Sequence, residues 1–199
     1  MAGIEELLDF WFGGLREGKP VPPERFALWF GGAETTDRQI RERFAADVER
    51  ADAGGYDGWR AFPRGTLALL ILLDQFPRNI YRGSPRAYDF DGKARELCLA
   101  GLDAGQDREL ITVQRAFFYL PLEHSEDISL QQRSVAAFAE LLRQAPETLR
   151  ETCRNFLEYA ERHRAIIERF GRFPHRNSSL SRPSTAEEEV FLREPGSSF

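Results

Sequence analysis

Residues 149–171 read LRETCRNFLEYAERHRAIIERFG. Leu149, Cys153, Phe156, Leu157, Ala160, Ile167 and Phe170 recur at spacings built from threes and fours, which puts them on one face of an α-helix. Gly171 follows where a helix readily stops, because glycine takes the left-handed conformation without a Cβ penalty. His163 falls on the same inward stripe. A polar ring on an apolar face must find hydrogen-bond partners or cost about 1–3 kcal/mol. His163 is therefore either a core histidine that fixes a helix contact or a site histidine facing a cleft.

The same rhythm extends in both directions and no run of strict alternation competes with it, so the chain reads as all-α. Ile4, Leu7, Leu8 and Trp11 mark a first helix ended by Gly13 and Gly14. Pro22 and Pro23 open a second, since proline is tolerated in a first turn, with Phe26, Trp29 and Phe30 as its buried stripe. Thr36 and Gln39 form a capping box for a third, which carries Ile40, Phe44, Val48 and Ala51 inward. Thr66 to Leu73 is apolar on every side, as a helix surrounded by others must be. Pro77 should end it, leaving Asp74 to Gly83 as a helix end and loop. Further helices follow at Ala94–Leu102, Val113–Leu120 (broken at Pro121) and Val135–Leu142, the last capped by Ser129 with Gln132. A final one is capped by Ser184 with Glu187. Short connections imply antiparallel neighbours, hence stacked helix pairs in a tetratricopeptide-like array closed into one compact domain over residues 1–199. There is no clean repeat of about 34 residues.

Composition bounds the partners. Of 199 residues, 32 are acidic and 27 basic, a net charge of −5 that disfavours nucleic acid as a partner. Lys19 and Lys93 are the only lysines, so the positive charge is almost all guanidinium, suited to bidentate carboxylate or phosphate contacts. The longest apolar run, Leu67 to Leu73, is far short of the ~20 residues that cross a bilayer, so a soluble protein without membrane contact is expected. Cys98 and Cys153 sit in helical apolar patterns as small hydrophobes, which suits a reducing compartment. Glu5, Glu6 and Asp9 stand where a secretory signal would need basic and apolar residues, so the cytoplasm is the expected location.

Candidate chemistry concentrates at helix ends. Glu123-His124-Ser125-Glu126-Asp127 is a dense acidic stretch with one histidine. Asp74-Gln75-Phe76-Pro77-Arg78-Asn79 and Gly171-Arg172-Phe173-Pro174-His175-Arg176-Asn177 are two proline segments with related wording, each presenting arginine and asparagine after a helix. One reading pairs Arg78, Arg172 or Arg176 with Glu123, Glu126 or Asp127 in a structural network. The other makes them a pocket for a phosphate or carboxylate. All three histidines, at 124, 163 and 175, lie in or beside these segments. Their spacing matches no zinc pattern, and no phosphate loop, nucleophile elbow or paired CxxC occurs, so neither a metal nor a cofactor is expected.

The words Asp9-Phe10-Trp11-Phe12, Trp29-Phe30, Leu72 through Asn79, Phe118-Tyr119-Leu120-Pro121-Leu122-Glu123-His124-Ser125-Glu126 and His163 through Asn177 resemble, in order, domain-of-unknown-function family 924. Ser184-Thr185 with Glu187-Glu188 and Phe191-Leu192 is similar to that family's C-terminal pattern. The resemblance runs nearly end to end, and its one noted departure is Leu120 where methionine is frequent, a change that conserves volume. It implies a bacterial-type protein with a tetratricopeptide-like helical fold, and it brings no catalytic or binding residues with it.

The expected function is binding of an acidic peptide or small anionic ligand at an Arg/His-lined cleft formed by Asp74, Arg78, Asn79, His124, Glu126, His163, Arg172, His175, Arg176 and Asn177. The alternative is an enzyme in which His124 or His175 acts as base, Glu123 orients it, and the arginines hold an anionic substrate. RNA binding, with Phe76 or Phe173 as stacking platforms, is opposed by the acidic total.

Overall fold

The structure is a computed structural model that describes residues 1–197. It is all-helical, with no strand among the described residues. The helices are α1 (Ile4–Phe12), α2 (Pro23–Phe30), α3 (Glu34–Asp52), α4 (Pro63–Leu70), α5 (Phe76–Ile80), α6 (Asp91–Asp103), α7 (Thr112–Glu123), α8 (Ile128–Gln144), α9 (Arg150–Phe170) and α10 (Ala186–Phe191), with short 3-10 turns between several of them. Consecutive packing runs through α6, α7, α8 and α9, while α4 touches α1, α6 and α7. Its residues Leu67 to Leu70, and Ile71 to Leu73 beyond it, are buried, so this segment is the central post.

The post does not end at Pro77. Ile71–Gln75 forms a single π-helical turn, in which the Phe76 N–H bonds the Ile71 carbonyl, and α5 restarts with Pro77 in its first turn. A proline ring ordinarily clashes with the carbonyl four residues back. Widening the helix by one residue accommodates it, and π-turns of this kind cluster at functional sites. Pro121 likewise fails to break its helix. It lies within the last turn of α7, so the N–H it lacks removes only one backbone bond, and His124 closes the helix with its N–H on Leu120 O at 2.9 Å.

Capping differs in register from the sequence reading at three helices. Helix α3 begins at Glu34 after Ala33, with no side-chain cap. The cap of α8 is Asp127, whose carboxylate accepts from Ser129 N at 2.7 Å and Leu130 N at 3.3 Å. A carboxylate is the stronger acceptor, and Ser129 becomes a donor to it. For α10 the capping box is Thr185 with Glu188, one residue later than expected, because Ser184 instead accepts from Asn177.

The core is aromatic-rich. Phe117 packs edge-on against Trp11, Phe12 and Trp29 at centroid distances of 5.9, 5.3 and 4.7 Å. Helix α2 is pinned to α1 by Arg25 and Trp29, which donate to the Phe10 and Trp11 carbonyls at 2.9 Å each. Gly65 lets α4 approach the chain at Trp59, since a Cβ there would stand 2.1 Å from the Trp59 carbonyl oxygen. Gly65→Ala is therefore expected to cost about 1–3 kcal/mol through overpacking against backbone, read as a lowered urea midpoint with unchanged slope. An unchanged midpoint would show that this contact yields freely. Phe76 and Phe173 are both fully buried, which removes them as stacking platforms for RNA.

Candidate functional site

Between the C-terminal ends of α5 and α7, the flank of α9 and the turn after it lies a cavity of about 670 Å³. One wall is apolar: Phe26, Trp29 and Phe30 from α2, Leu120 from α7 and Phe156 from α9. Phe30, expected in the buried stripe, is 56% exposed, and with the 49%-exposed Tyr159 it stands beside the opening. The rest of the lining is largely polar and includes Arg78, Asn79, Glu123, His124, His163, His175 and Arg176.

The polar wall is organised around Asp74, which is 2% exposed on the π-turn. Its carboxylate accepts from Gln75 Nε2 at 2.5 Å, from Arg78 Nη2 one helical turn on at 3.2 Å, and from His124 Nδ1 at 2.7 Å. Burial alone would raise the Asp74 pKa, but His124 and Arg78 outweigh it and hold the group well below the ordinary carboxylate range. An ionised carboxylate only accepts, so the proton of this bond sits on Nδ1. Burial, helped by Arg78 and opposed by Asp74, pushes the His124 pKa down. At neutral pH the ring is thus uncharged, with Nε2 as its lone-pair nitrogen.

Arg78 also reaches Asp91 at the start of α6, at 3.1 and 3.3 Å, and the Ala87 carbonyl at 3.3 Å. Arg176, on the 3-10 turn Pro174–Arg176, is 6% exposed and lies 4.8 Å over the Tyr88 ring and 4.5 Å over Phe173. Its only ion pair among the described residues is a long one, Nη1 to Asp91 Oδ2 at 3.5 Å, and its buried Nε has no hydrogen-bond partner. Burial and the charge of Arg78 lower its pKa to about 10. The pairings expected from sequence are corrected here: Arg78 and Arg176 share Asp91 and use none of Glu123, Glu126 or Asp127.

Glu123 does not orient His124; Asp74 does. Glu123 is 4% exposed at the end of α7, with Oε1 3.3 Å from His163 Nδ1 and Oε2 buried without a hydrogen-bond partner among the described residues. Burial, reinforced by the charge of Asp74, raises its pKa to about 8, so it is protonated at neutral pH. His163 donates from Nδ1 to the Tyr159 carbonyl at 2.8 Å, and burial together with His124 lowers its pKa to about 3. His175 is lowered to about 4 by burial, Arg176 and Arg78. His163 is both an inward-facing helix residue and part of the cavity wall. Its ring centroid is 6.3 Å from that of His124.

Three expected site residues go elsewhere. Glu126 accepts from Arg182 at 2.7 and 2.9 Å and from Phe173 N at 2.8 Å. Arg172 donates to Glu188 at 2.6 and 2.8 Å, and Asn177 donates to the same carboxylate at 3.2 Å. Together they fasten the C-terminal segment to the end of α9, away from the cavity lining. Asn79 stays on the lining but commits its amide to Asp37 of α3 at 2.8 Å. Sequence reasoning missed Asp91, Tyr88 and Phe156 as contributors. Asp91 carries no local motif, and only its place in the first turn of α6 hinted at a role. Among the described residues no group of three or more His, Cys, Asp or Glu is arranged to hold a metal ion.

Fold and cavity together define an all-helical protein with an aromatic-walled chamber whose other side carries an Asp–His pair and buried arginine. The chain belongs to the family of bacterial proteins of unknown function DUF924, whose model matches residues 7–196. It is similar to the solved structure of a protein of unknown function, ATU0120, from Agrobacterium tumefaciens, with 36% identity, a TM-score of 0.81 and 96% of each chain covered. No curated protein matches it.

Proposed function

We propose that the cavity binds a small organic oxyanion, a carboxylate or phosphate borne on an aromatic-sized apolar body. The observation that carries this reading is Arg176, a buried guanidinium on the cavity wall with one long ion pair and an Nε that no described residue accepts from. An oxyanion at its Nε/Nη edge would complete a bidentate contact. The protonated Glu123, whose Oε2 has no partner among the described residues, offers a donor to a further oxygen of the bound molecule. The aromatic wall then takes the apolar body. A volume of about 670 Å³ suits a small molecule rather than the acidic peptide also considered. Consecutive packing of α6 to α9 supports a tetratricopeptide-like array as the scaffold. Free thiols at Cys98 and Cys153 support a cytoplasmic setting. No helix among the described residues is long and apolar enough to cross a membrane.

Phenyl phosphate, benzoate and inorganic phosphate serve as probes in thermal-shift and calorimetric titrations. The two aromatic anions are expected to raise the melting temperature more than inorganic phosphate. Arg176→Met should weaken them roughly 10- to 100-fold, the worth of one charge-assisted hydrogen bond. Equal binding by the variant, or no shift with any probe, would overturn the reading.

A further inference from the structure

A base that removes a proton from carbon must be uncharged at the working pH, held in one orientation, and close to the bound molecule. His124 meets the last two conditions by geometry, and its burial serves the first. Its backbone N–H is tied to Leu120 O at 2.9 Å, and its Nδ1 is tied to Asp74 at 2.7 Å. Asp74 is itself fixed from two other sides by Gln75 and Arg78. The ring lies on the cavity wall, and Nδ1 is committed, so Nε2 is the nitrogen offered to the chamber. The adjacent residue, Glu123, lines the same chamber in a dry position with one carboxyl oxygen uncommitted. Burial keeps these neighbours in opposite states: the imidazole without its extra proton, the carboxyl with it. An uncharged base beside a protonated acid is the pair that a 1,2-elimination requires.

The cavity wall offers no cysteine, since Cys98 and Cys153 lie in the hydrophobic core. The chemistry these residues support is therefore proton transfer within a bound molecule, without a thiol-bound intermediate.

We propose that the chamber is the active site of an elimination in which His124 removes a proton from the carbon next to a carboxylate and Glu123 protonates the departing β-oxygen. The C–H bond breaks and its proton goes to Nε2. Its electron pair forms the C=C bond as the β C–O bond breaks, and the leaving oxygen takes the Glu123 proton and departs as water. His124 then returns its proton to Glu123 through solvent, so hydroxy acid becomes unsaturated acid plus water with nothing left over. Asp74 is a positioning residue that fixes the tautomer. Arg176 holds the carboxylate on which negative charge accumulates, so the assignment of a carboxylate substrate rests on the anion-binding reading.

The test uses 5-nitrobenzisoxazole, an uncharged carbon acid whose elimination breaks one C–H bond and one N–O bond and releases a coloured phenolate. The full chain is expected to turn it over with saturation, well above an equal concentration of free imidazole. Phenyl phosphate should inhibit competitively. His124→Gln should lower kcat at least 100-fold, the scale of general-base catalysis. Glu123→Gln should lower it only about threefold or less, because the oxygen of this probe departs as phenolate and needs a hydrogen bond rather than a proton. Asp74→Asn should lower kcat with KM little changed and shift the acid limb of the pH–rate profile, which a merely structural role would not move. A rate no greater than that of imidazole, or one unaffected by His124→Gln, would overturn the proposal. Should His124→Gln fail to fold, as checked by circular dichroism, the comparison with imidazole and the Asp74→Asn pH–rate profile decide it. Binding of phenyl phosphate without turnover sinks the elimination alone. Turnover that phenyl phosphate does not inhibit overturns the assignment of a carboxylate substrate and the anion-binding reading together.

Discussion

Arg78→Met is expected to destabilise the protein by roughly 3–5 kcal/mol, the cost of leaving buried charges without their partner. Arg78 is the link between Asp74 and Asp91, with contacts of 3.1–3.3 Å to both carboxylates. Without it, Asp74 retains Gln75 and His124, and Asp91 is left with the long contact of Arg176. The cost should be largest above the carboxylate range and shrink as pH falls, because Asp74 freed of Arg78 takes up a proton more readily. Arg176→Met should behave differently. Its single long pair and lowered pKa describe a guanidinium that stabilises the fold little, so an apolar substitute of similar length is expected to leave stability within about 1 kcal/mol. Urea denaturation of both variants at neutral pH separates them. Equal losses would make the arginines one structural network, and the case for Arg176 as a ligand donor would fall.

That contrast was out of reach from the sequence. Both arginines sit in related words, Phe76-Pro77-Arg78-Asn79 and Phe173-Pro174-His175-Arg176-Asn177, yet one is held by two carboxylates and the other by one long ion pair and two ring faces. What the words share is local chemistry. What separates them is which chain segment lies opposite, and Asp91 reaches that place only because α6 packs on the central post. Periodicity showed the post at Thr66–Leu73 and the inward stripe of α9 with His163, because both are one-dimensional patterns of apolar residues. It could not show the π-turn at Ile71–Gln75, since one inserted residue leaves an all-apolar stretch looking unchanged. That insertion puts Asp74 where it meets both Arg78 and His124. The partners of charged groups were misassigned for the same reason throughout. By sequence Glu126 and Arg172 suit each other or the site, and in the fold each pairs instead with a residue of the C-terminal segment, Arg182 and Glu188.

Stability should pass through a maximum near pH 6.5 and fall on its alkaline side, and Glu123→Gln should remove that fall. Glu123 keeps its proton in the folded state up to about pH 8, whereas in the unfolded chain it ionises near 4.5. A pKa raised by folding contributes stability that is whole below the unfolded value and is lost as pH rises through the folded one. The loss runs at roughly 1.4 kcal/mol per pH unit across that window. The histidines act in the opposite sense. His163 and His175 are lowered from 6.5 to about 3 and about 4, and His124 is lowered too, so their contribution is whole above 6.5 and is lost as pH falls toward the folded values. Between 4.5 and 6.5 His163 and His175 oppose one glutamate, with His124 acting in their direction, and acid destabilises. Above 6.5 Glu123 acts alone among these four and base destabilises. Gln has the shape of the protonated acid and cannot ionise, so the variant should match the parent near pH 5. At pH 8 it should exceed the parent by about 3 kcal/mol or more. Denaturation midpoints at pH 5, 6.5 and 8 test this, and parallel curves for the two proteins would mean that Glu123 is ionised in its pocket. An ionised Glu123 would also be unable to protonate a departing oxygen, so this stability measurement, made with no substrate at all, bears on the elimination chemistry as directly as the kinetic one.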